Sequence, residues 1–223
     1  MRRVLLYAPL YRDIPVARES WLRQQAPDTA VDLYIPRWNP LPGAGPYPNL
    51  DVKSEIARKI AIVGDYDYLW SVEDDIVLPD DALFKLLAVD NAIASGIYRH
   101  RPETTFNTTL DVRVSDPQGP QDADDRPIEL RDIEGEERVI QCSLLTTGCL
   151  LIKKELFPVL EGIMGRDYKI SNLMNQKGIK MLCHSGVLCG HVDVFGEIIG
   201  VKTHGNLPPY RLFDCSPEPS VPR

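Results

Sequence analysis

Residues 67–79 read DYLWSVEDDIVLP, an apolar and aromatic run of strand length that ends abruptly in three consecutive carboxylates, Glu73, Asp74 and Asp75. Adjacent carboxylates repel one another, so a folded protein keeps them together at a cost unless a cation neutralises them. Oxygen ligands on a short turn suit Mn²⁺ or Mg²⁺, with phosphate groups of a substrate completing the coordination shell. The stretch therefore predicts a strand that leads into a metal-binding turn.

The position of this turn favours a ligand site. In open α/β sheets, ligands bind in the crevice at the carboxyl ends of the strands, which is where the three carboxylates fall. The alternative, that the acidic residues only keep a strand-to-helix turn in water, stays open. Two further acidic residues, Asp80 and Asp81, begin a predicted helix, and we expect them to be its N-cap and its first-turn charge.

Length and charge limit the classes of protein to consider. The chain has 223 residues, enough for one domain, which we place at residues 1–205 with a polar excursion at about 103–138 and a proline-rich tail at 206–223. Ten acidic and four basic residues between positions 111 and 138 supply −6 of the net charge of −7. The remainder is nearly neutral and has no basic patch, so we expect no nucleic-acid partner. No apolar run approaches the roughly 20 residues of a transmembrane helix.

Strand-like and helix-like segments alternate along the chain. This order predicts an α/β fold with a mostly parallel central sheet flanked by helices. Ile56, Ile60 and Val63 define an apolar face of one helix, with Arg58 and Lys59 beside it as surface charges or as groups facing an anionic ligand. The predicted strands are 3–7, 30–35, 67–73, 92–98, 110–114, 128–130, 139–145, 149–152, 179–183 and 187–192, and the predicted helices are 16–25, 50–63, 80–89, 153–160 and 167–177.

The five cysteines lack CxxC spacing, and we interpret them as free buried thiols of a cytoplasmic protein. A zinc site is conceivable where two cysteines and two histidines follow one another in a strand-like segment. Alternation along a strand would scatter these side chains over both faces. The four residues in question are Cys183, His184, Cys189 and His191.

The order of these landmarks resembles the GT-A glycosyltransferases, especially the family 2-like group. Thr147-Gly148 and an apolar segment follow the acidic turn, an acidic helix start comes at Asp167, and a strand then ends in Gly190-His191. The resemblance extends from about residue 4 to residue 191. It implies a GT-A fold and the transfer of a sugar from a nucleoside diphosphate sugar to a hydroxyl of a carbohydrate or other acceptor.

The resemblance also implies a divalent metal. In the family, an Asp-x-Asp turn binds Mn²⁺ or Mg²⁺ together with the nucleotide, and the matching residues here are Glu73, Asp74 and Asp75, with Glu in place of the first Asp. Asp75 would bind the metal directly, Glu73 would reach the ribose or the metal, and Asp74 would belong to the nucleotide-sugar site. His191 matches the histidine that supplies a further metal ligand, and His204 is a second candidate.

Further residues match positions that bind the donor. The segment around Arg58 is similar to the family's Ala-Arg-Asn helix near the donor, with Lys replacing Asn. The resemblance implies that Pro9 and Tyr11 line the base-binding end of the first strand. It also implies that Thr147 and Gly148 face the sugar.

The residues that would act on the acceptor match the family's motif only in part. Asp167 falls where the family's Glu-Asp pair provides the catalytic base, but Arg166 replaces the Glu. The resemblance implies that Asp167 deprotonates the acceptor hydroxyl if the reaction inverts the anomeric centre, and orients the acceptor if the reaction retains it.

Two other function classes stay open. A sugar-nucleotide-forming nucleotidyltransferase would share the sheet and the metal, but the expected glycine-rich loop is absent from residues 8–12. A non-catalytic Ca²⁺-binding module would place carboxylates at regular spacing in a loop, and no D-x-D-x-D-G pattern occurs.

Overall fold

A computed structural model of the protein describes residues 1–98, 109–110, 126–128, 133, 135–192, 196 and 198–199. The described helices are α1 (Pro15–Leu22), α2 (Pro46–Val63), α3 (Ala82–Ala88) and α4 (Asp167–Gln176), and Lys154–Leu160 forms a 3₁₀ segment. The described strands are β1 (Arg2–Tyr7), β2 (Thr29–Tyr34), β3 (Tyr68–Val72), β4 (Ile76–Val77), β5 (Ile93–Tyr98), β6 (Thr109–Leu110), β7 (Arg126–Pro127), β8 (Val139–Leu144), β9 (Cys149–Lys153), β10 (Met181–Val192) and β11 (Ile198–Ile199).

The described strands form one sheet in the order β2-β1-β3-β9-β5-β10-β8-β6-β7, with β4 and β11 paired to β10. β1 lies parallel to β2 and β3, and β5 lies parallel to β10. β9 is inserted between β3 and β5 and runs antiparallel to both. The predicted sheet flanked by helices is confirmed. Five of the seven strands from β2 to β8 share one direction, but β9 and β8 oppose them, so the sheet is mixed.

The two faces of the sheet carry separate apolar clusters, as the period of two along a strand requires. In β1, Val4 and Leu6 face one cluster, whereas Leu5 and Tyr7 face the other. The first cluster includes side chains of α1 and α3, and the second includes side chains of α2, α4 and the 3₁₀ segment. The protein therefore has three layers, with the sheet in the middle.

Hydrogen bonds from α1 fix the strand that follows the acidic turn. The indole nitrogen of Trp21 donates to the carbonyl of Ile76 at 2.9 Å, and the hydroxyl of Ser20 accepts the N–H of Leu78 at 2.9 Å. Ala17, Ser20 and Trp21 are buried, as the predicted helical spacing requires. The turn at residues 73–75 is thus held between two anchored strands.

The predicted capping of α3 is wrong. Asp81 occupies the residue before the helix, yet its side chain makes no capping hydrogen bond. It forms an ion pair with Lys85 at 2.9 Å. Asp80 forms an ion pair at 2.9 Å with Arg23, the residue that follows α1. Both carboxylates have a basic side chain within reach, and these pairs replace the caps.

Helix α2 departs from its predicted boundaries and burial. It begins at Pro46, before its predicted start at residue 50, because proline is tolerated in the first turn of a helix. Val63 is 88% exposed, so the predicted apolar face is wrong there, although Ile60 packs against the core. The buried face is unusually polar and consists of Asn49, Lys53, Ser54, Ala57, Arg58 and Ala61. Of these polar groups, Lys53 bonds to the loop after β1 and Arg58 to the 3₁₀ segment, and hydrophobic periodicity registers neither contact.

Several predictions fall largely outside the described residues. The proline-rich tail at 206–223, His204, Cys215 and most of the excursion at 103–138 belong to this group. Within the excursion, β6 and β7 pair antiparallel. The other four cysteines are free and buried, as predicted. No helix in the described ranges is long and apolar enough to cross a bilayer.

Candidate active site at the acidic turn

Asp74 organises the loop that follows β1. Its Oδ2 accepts the backbone N–H groups of Tyr11 at 2.8 Å and Arg12 at 2.6 Å. The residue is buried, and this burial raises its pKa, while the two N–H donors act in the opposite direction. The side chain therefore joins the ends of two neighbouring strands. Its predicted contact with a nucleotide sugar stays a prediction, since this oxygen already has two backbone partners.

Asp75 and His191 lie together. Strand β4 pairs with β10 so that His191 is opposite Ile76, and the carbonyl of Asp75 accepts the N–H of Val192 at 2.8 Å. The Nε2 of His191 is consequently 3.4 Å from the Oδ2 of Asp75. The two predicted metal ligands, 116 positions apart in the sequence, are thus adjacent at the acidic turn.

Arg12 is a site residue that the sequence interpretation missed. Its Nη2 lies 2.6 Å from the Oδ2 of Asp75 and 3.9 Å from the Oδ1 of Asp74. A basic residue in the loop at the carboxyl end of β1, next to the strand that carries the acidic turn, was the available signal. The cation expected beside the three carboxylates is therefore supplied, in this structure, by the chain itself.

Glu73 has a strongly perturbed carboxyl. Burial raises its pKa to about 7, and the charges of Asp75 and Asp167 act in the same direction. The hydroxyl of Thr147 donates to its Oε1 at 3.2 Å, and its backbone N–H donates to the carbonyl of Gly148 at 3.1 Å. Glu73 is thus joined to the Thr147-Gly148 turn and titrates near neutral pH.

Asp167 faces the same cluster from the start of α4. The N–H of Thr147 donates to its carboxylate, and burial raises the pKa of this carboxyl. Arg166, which precedes the helix, binds Asp51 of α2 with an Nε to Oδ1 distance of 2.8 Å. Arg166 therefore fastens the first turn of α4 against α2, which holds Asp167 in place.

Gly148 occupies a position where only glycine fits. A Cβ atom there would lie 2.4 Å from the hydroxyl oxygen of Tyr98, which itself bonds to the hydroxyl of Thr146 at 2.9 Å. The ring of Tyr98 also meets His191 edge-on, with ring centroids 5.4 Å apart. Tyr98 thus connects the Thr147-Gly148 turn to the histidine.

The chain shares its fold with A197 from STIV. The superposition covers 95% of this chain and 100% of A197, with a TM-score of 0.54 and 13% sequence identity. It confirms the predicted fold class, an α/β fold of the GT-A type. A glycosyltransferase involved in the glycosylation of the major capsid of PBCV-1 gives a TM-score of 0.36 and 10% identity over 79% of this chain and 68% of that chain. No family model matches the sequence, and no curated protein is similar to it in sequence.

The other residues predicted to bind the donor are dispersed. Pro9 is buried, whereas Tyr11 is 40% exposed and donates its hydroxyl to the carbonyl of Pro46 at 2.9 Å. Arg58 is buried, and its guanidinium donates to Glu55 and to the carbonyl of Phe157 at 2.9 Å. Its donors are used in packing α2 against the 3₁₀ segment, so its role toward a nucleotide sugar is an untested prediction.

Lys53 is a second residue that the sequence interpretation missed, and unlike Arg12 it has no sequence signal. Its side chain is fully buried, and its Nζ lies 3.3 Å from the carbonyl of Leu10 and 4.0 Å from the ring centroid of Tyr11. Burial lowers its pKa, and the charge of Asp74 acts against this shift. A buried cation therefore supports the loop that carries Tyr11 and Arg12.

The donors at the turn fit a divalent metal whose shell is completed by a ligand. Across the described ranges, no group of three His, Cys, Asp or Glu side chains could hold a metal ion unaided. The separation of 3.4 Å between Asp75 Oδ2 and His191 Nε2 would nevertheless allow both atoms to bind one ion. Carboxylate ligands with substrate phosphates are the usual set for Mg²⁺.

The alternative zinc site is not formed by the described side chains. Cys183 is buried on the face of β10 opposite to His184, and its Sγ lies 3.3 Å from the Sγ of Cys142. Cys189 is hydrogen-bonded to Cys149 on β9. Alternation puts His184 opposite to Cys183, and a register irregularity in β10 between residues 183 and 188 places Cys183 and Cys189 in different apolar clusters.

Proposed function

We propose that the protein is a metal-dependent glycosyltransferase that moves a sugar from a nucleoside diphosphate sugar to an acceptor hydroxyl. The observation that carries this proposal is the convergence of Glu73, Asp75, Asp167 and His191 at the carboxyl edge of the sheet. Three carboxyl groups and an imidazole from three segments that are distant in the sequence meet there, beside β3 and β10. These groups could bind a divalent cation and supply a general base, and the proposed reaction uses both.

Asp75 and His191 would hold Mn²⁺ or Mg²⁺, with Glu73 beside them. The metal, when bound with the diphosphate, would supply Lewis-acid stabilisation of charge on the leaving group. The Tyr11 side chain, which is partly exposed on the loop after β1, would contact the nucleotide. Thr147 and Gly148 would border the sugar, because both lie against Glu73.

Asp167 would act on the acceptor. Burial raises the pKa of its carboxyl, which makes the ionised form a stronger base than an exposed aspartate. If the reaction inverts the anomeric centre, this carboxylate would remove the proton of the acceptor hydroxyl. A carbohydrate or another hydroxyl compound would serve as acceptor.

The test combines donors with a matched pair of variants. We expect Mn²⁺ together with one of the UDP, GDP or dTDP sugars to raise the melting temperature and to support hydrolysis or transfer. Asp75→Asn should lower that turnover by at least about 100-fold while the melting temperature without ligand stays near that of the wild type. Asp80→Asn, at a more exposed carboxylate that also pairs with an arginine, is the control and should retain turnover.

The products separate the remaining classes. Release of a nucleoside diphosphate supports a glycosyltransferase, whereas formation of a nucleotide sugar with pyrophosphate release would identify a nucleotidyltransferase. A response to Ca²⁺ without any effect of nucleotide sugars would contradict the enzymatic proposal and favour the binding module.

A further inference from the structure

Arg12 contacts the carboxylate oxygen that a metal would need. Its Nη2 lies 2.6 Å from Asp75 Oδ2, and the same oxygen is 3.4 Å from the Nε2 of His191. The arginine side chain is 39% exposed, whereas those of Asp74 and Asp75 are 10% and 13% exposed. A cation that reaches into the site from its open side therefore covers the predicted metal ligand.

A guanidinium and a metal ion cannot share this oxygen without conflict. A metal bound to a carboxylate lies at about 2.0–2.2 Å from the oxygen, inside the distance at which the guanidinium nitrogen now lies. Both groups are cationic, and the partly buried site screens their repulsion less than water does. Metal binding at Asp75 Oδ2 therefore requires Arg12 to move.

The contacts of the loop allow the side chain to move alone. The backbone N–H groups of Tyr11 and Arg12 are bound to Asp74 at 2.8 Å and 2.6 Å. Lys53 of α2 supports the same loop through its contacts with the Leu10 carbonyl and the Tyr11 ring. The backbone is thus fixed independently of the guanidinium, which can rotate away from Asp75 while the loop stays in place.

We propose that Arg12 is an internal counter-ion that competes with the divalent cation for Asp75 and turns to the diphosphate when that ligand binds. A guanidinium matches phosphate oxygens with two parallel hydrogen bonds, so the diphosphate offers it a new partner. This inference rests on the proposed function in taking Asp75 as a metal ligand and a diphosphate as the group that binds with the metal. Its consequence is that the metal binds weakly alone and tightly together with a diphosphate.

The test measures metal binding without a sugar nucleotide. Mn²⁺ is titrated into the full chain and the free ion is followed by electron paramagnetic resonance. We expect Arg12→Gln to bind Mn²⁺ at least tenfold more tightly than the wild type and Arg12→Lys, which keeps the charge, to stay near the wild type. Arg23→Gln removes an arginine from the more exposed pair with Asp80 and is the control, with unchanged affinity.

A second titration separates competition from damage to the site. Inorganic pyrophosphate is titrated by calorimetry into Mn²⁺-saturated protein, and we expect Arg12→Gln to bind it at least fivefold more weakly. A distorted site would lower the affinity for both Mn²⁺ and pyrophosphate. The proposal instead requires the affinity for Mn²⁺ to rise and the affinity for pyrophosphate to fall. Unchanged or weaker Mn²⁺ binding by Arg12→Gln would contradict the proposal that Arg12 competes with the metal. Unchanged pyrophosphate binding would contradict the proposal that Arg12 moves to the diphosphate. Failure of sugar transfer would refute the proposed function alone, because neither titration contains a donor sugar.

Discussion

Three adjacent carboxylates in this protein have three different environments. Asp74 binds backbone N–H groups, Asp75 contacts a guanidinium and lies beside an imidazole, and Glu73 bonds to a hydroxyl and titrates near neutral pH. The sequence predicts the cluster, because three like charges at the end of a strand need an explanation. It does not predict how the roles are divided, since that depends on which loops meet the turn.

A substitution at Asp167 can distinguish a catalytic role of this residue from a structural one. Asn at this position keeps an acceptor oxygen for the N–H of Thr147 but is a far weaker base. We therefore expect Asp167→Asn to retain the melting temperature and Mn²⁺ binding while sugar transfer falls by about 10²–10⁴-fold. Transfer rate, melting and metal titration are measured on the same preparation. Near-normal transfer would show that Asp167 is not the base and would remove the inverting mechanism.

Among the secondary-structure elements, the sequence predicted the strands better than it predicted the buried face of helix α2. The described strands of five or more residues followed from short apolar runs, although β10 joins two predicted strands, and the buried residues of α1 followed from helical spacing. In α2 the periodicity of Ile56, Ile60 and Val63 misled the interpretation, because the helix buries Lys53 and Arg58 instead. Hydrophobic patterns predict a face that packs on an apolar core. They fail where a helix must present polar groups to neighbouring loops and a site, and local rules are expected to break there.

Lys53 of α2 provides the test of this interpretation. Replacing a buried charge with an apolar side chain of similar size is often neutral or stabilising, so Lys53→Met should keep the free energy of unfolding within about 1 kcal/mol of the wild type or raise it. Sugar transfer should fall at least about tenfold, because the loop that carries Tyr11 and Arg12 loses its support. Urea unfolding and initial rates check the two expectations.

A matched variant on the same helix is Lys59→Met, at a lysine whose side chain is 65% exposed. It should change the free energy of unfolding by no more than about 0.5 kcal/mol and leave transfer unaffected. Normal transfer by Lys53→Met would contradict a role at the site. A loss of more than about 2 kcal/mol in stability would instead assign Lys53 to the fold.

For the whole molecule, the alternation of strands and helices was sufficient for the fold class. It could not reveal that β9, which follows the Thr147-Gly148 turn, is inserted antiparallel between β3 and β5. That insertion brings Gly148 against Glu73, because Cys149 pairs directly with Val72 at the end of β3. Strand order depends on long-range pairing, and residues 72 and 149 carry no local signal for it. Much of the candidate site is therefore a consequence of topology rather than of any single motif.

On one face of the sheet, an ion pair within α2 should control the acid stability of the molecule. Glu55 of α2 accepts hydrogen bonds from Arg58 at 2.6 Å and 2.9 Å, and Arg58 in turn binds the carbonyl of Phe157 in the 3₁₀ segment. The side chain of Arg58 is only 5% exposed. Hydrogen bonds from Arg58 lower the pKa of Glu55 in the folded protein, so folding favours the ionised carboxylate.

The sign of the pH dependence follows from this lowered pKa. The stabilisation is fully present above the unfolded value of about 4.3 and is lost as the pH falls through the lower folded value. Glu55→Gln should reduce the free energy of unfolding by about 3 kcal/mol at pH 7, because the remaining acidic partner of the buried guanidinium, Glu161, is 3.8 Å away and 74% exposed. The difference from the wild type should narrow once the wild-type carboxyl is itself protonated. Urea unfolding from pH 7 down to the acid limit of folding measures it, with Glu19→Gln on the exposed side of α1 as the control. A difference that stays constant over this range would show that the charge of Glu55 contributes nothing beyond its shape.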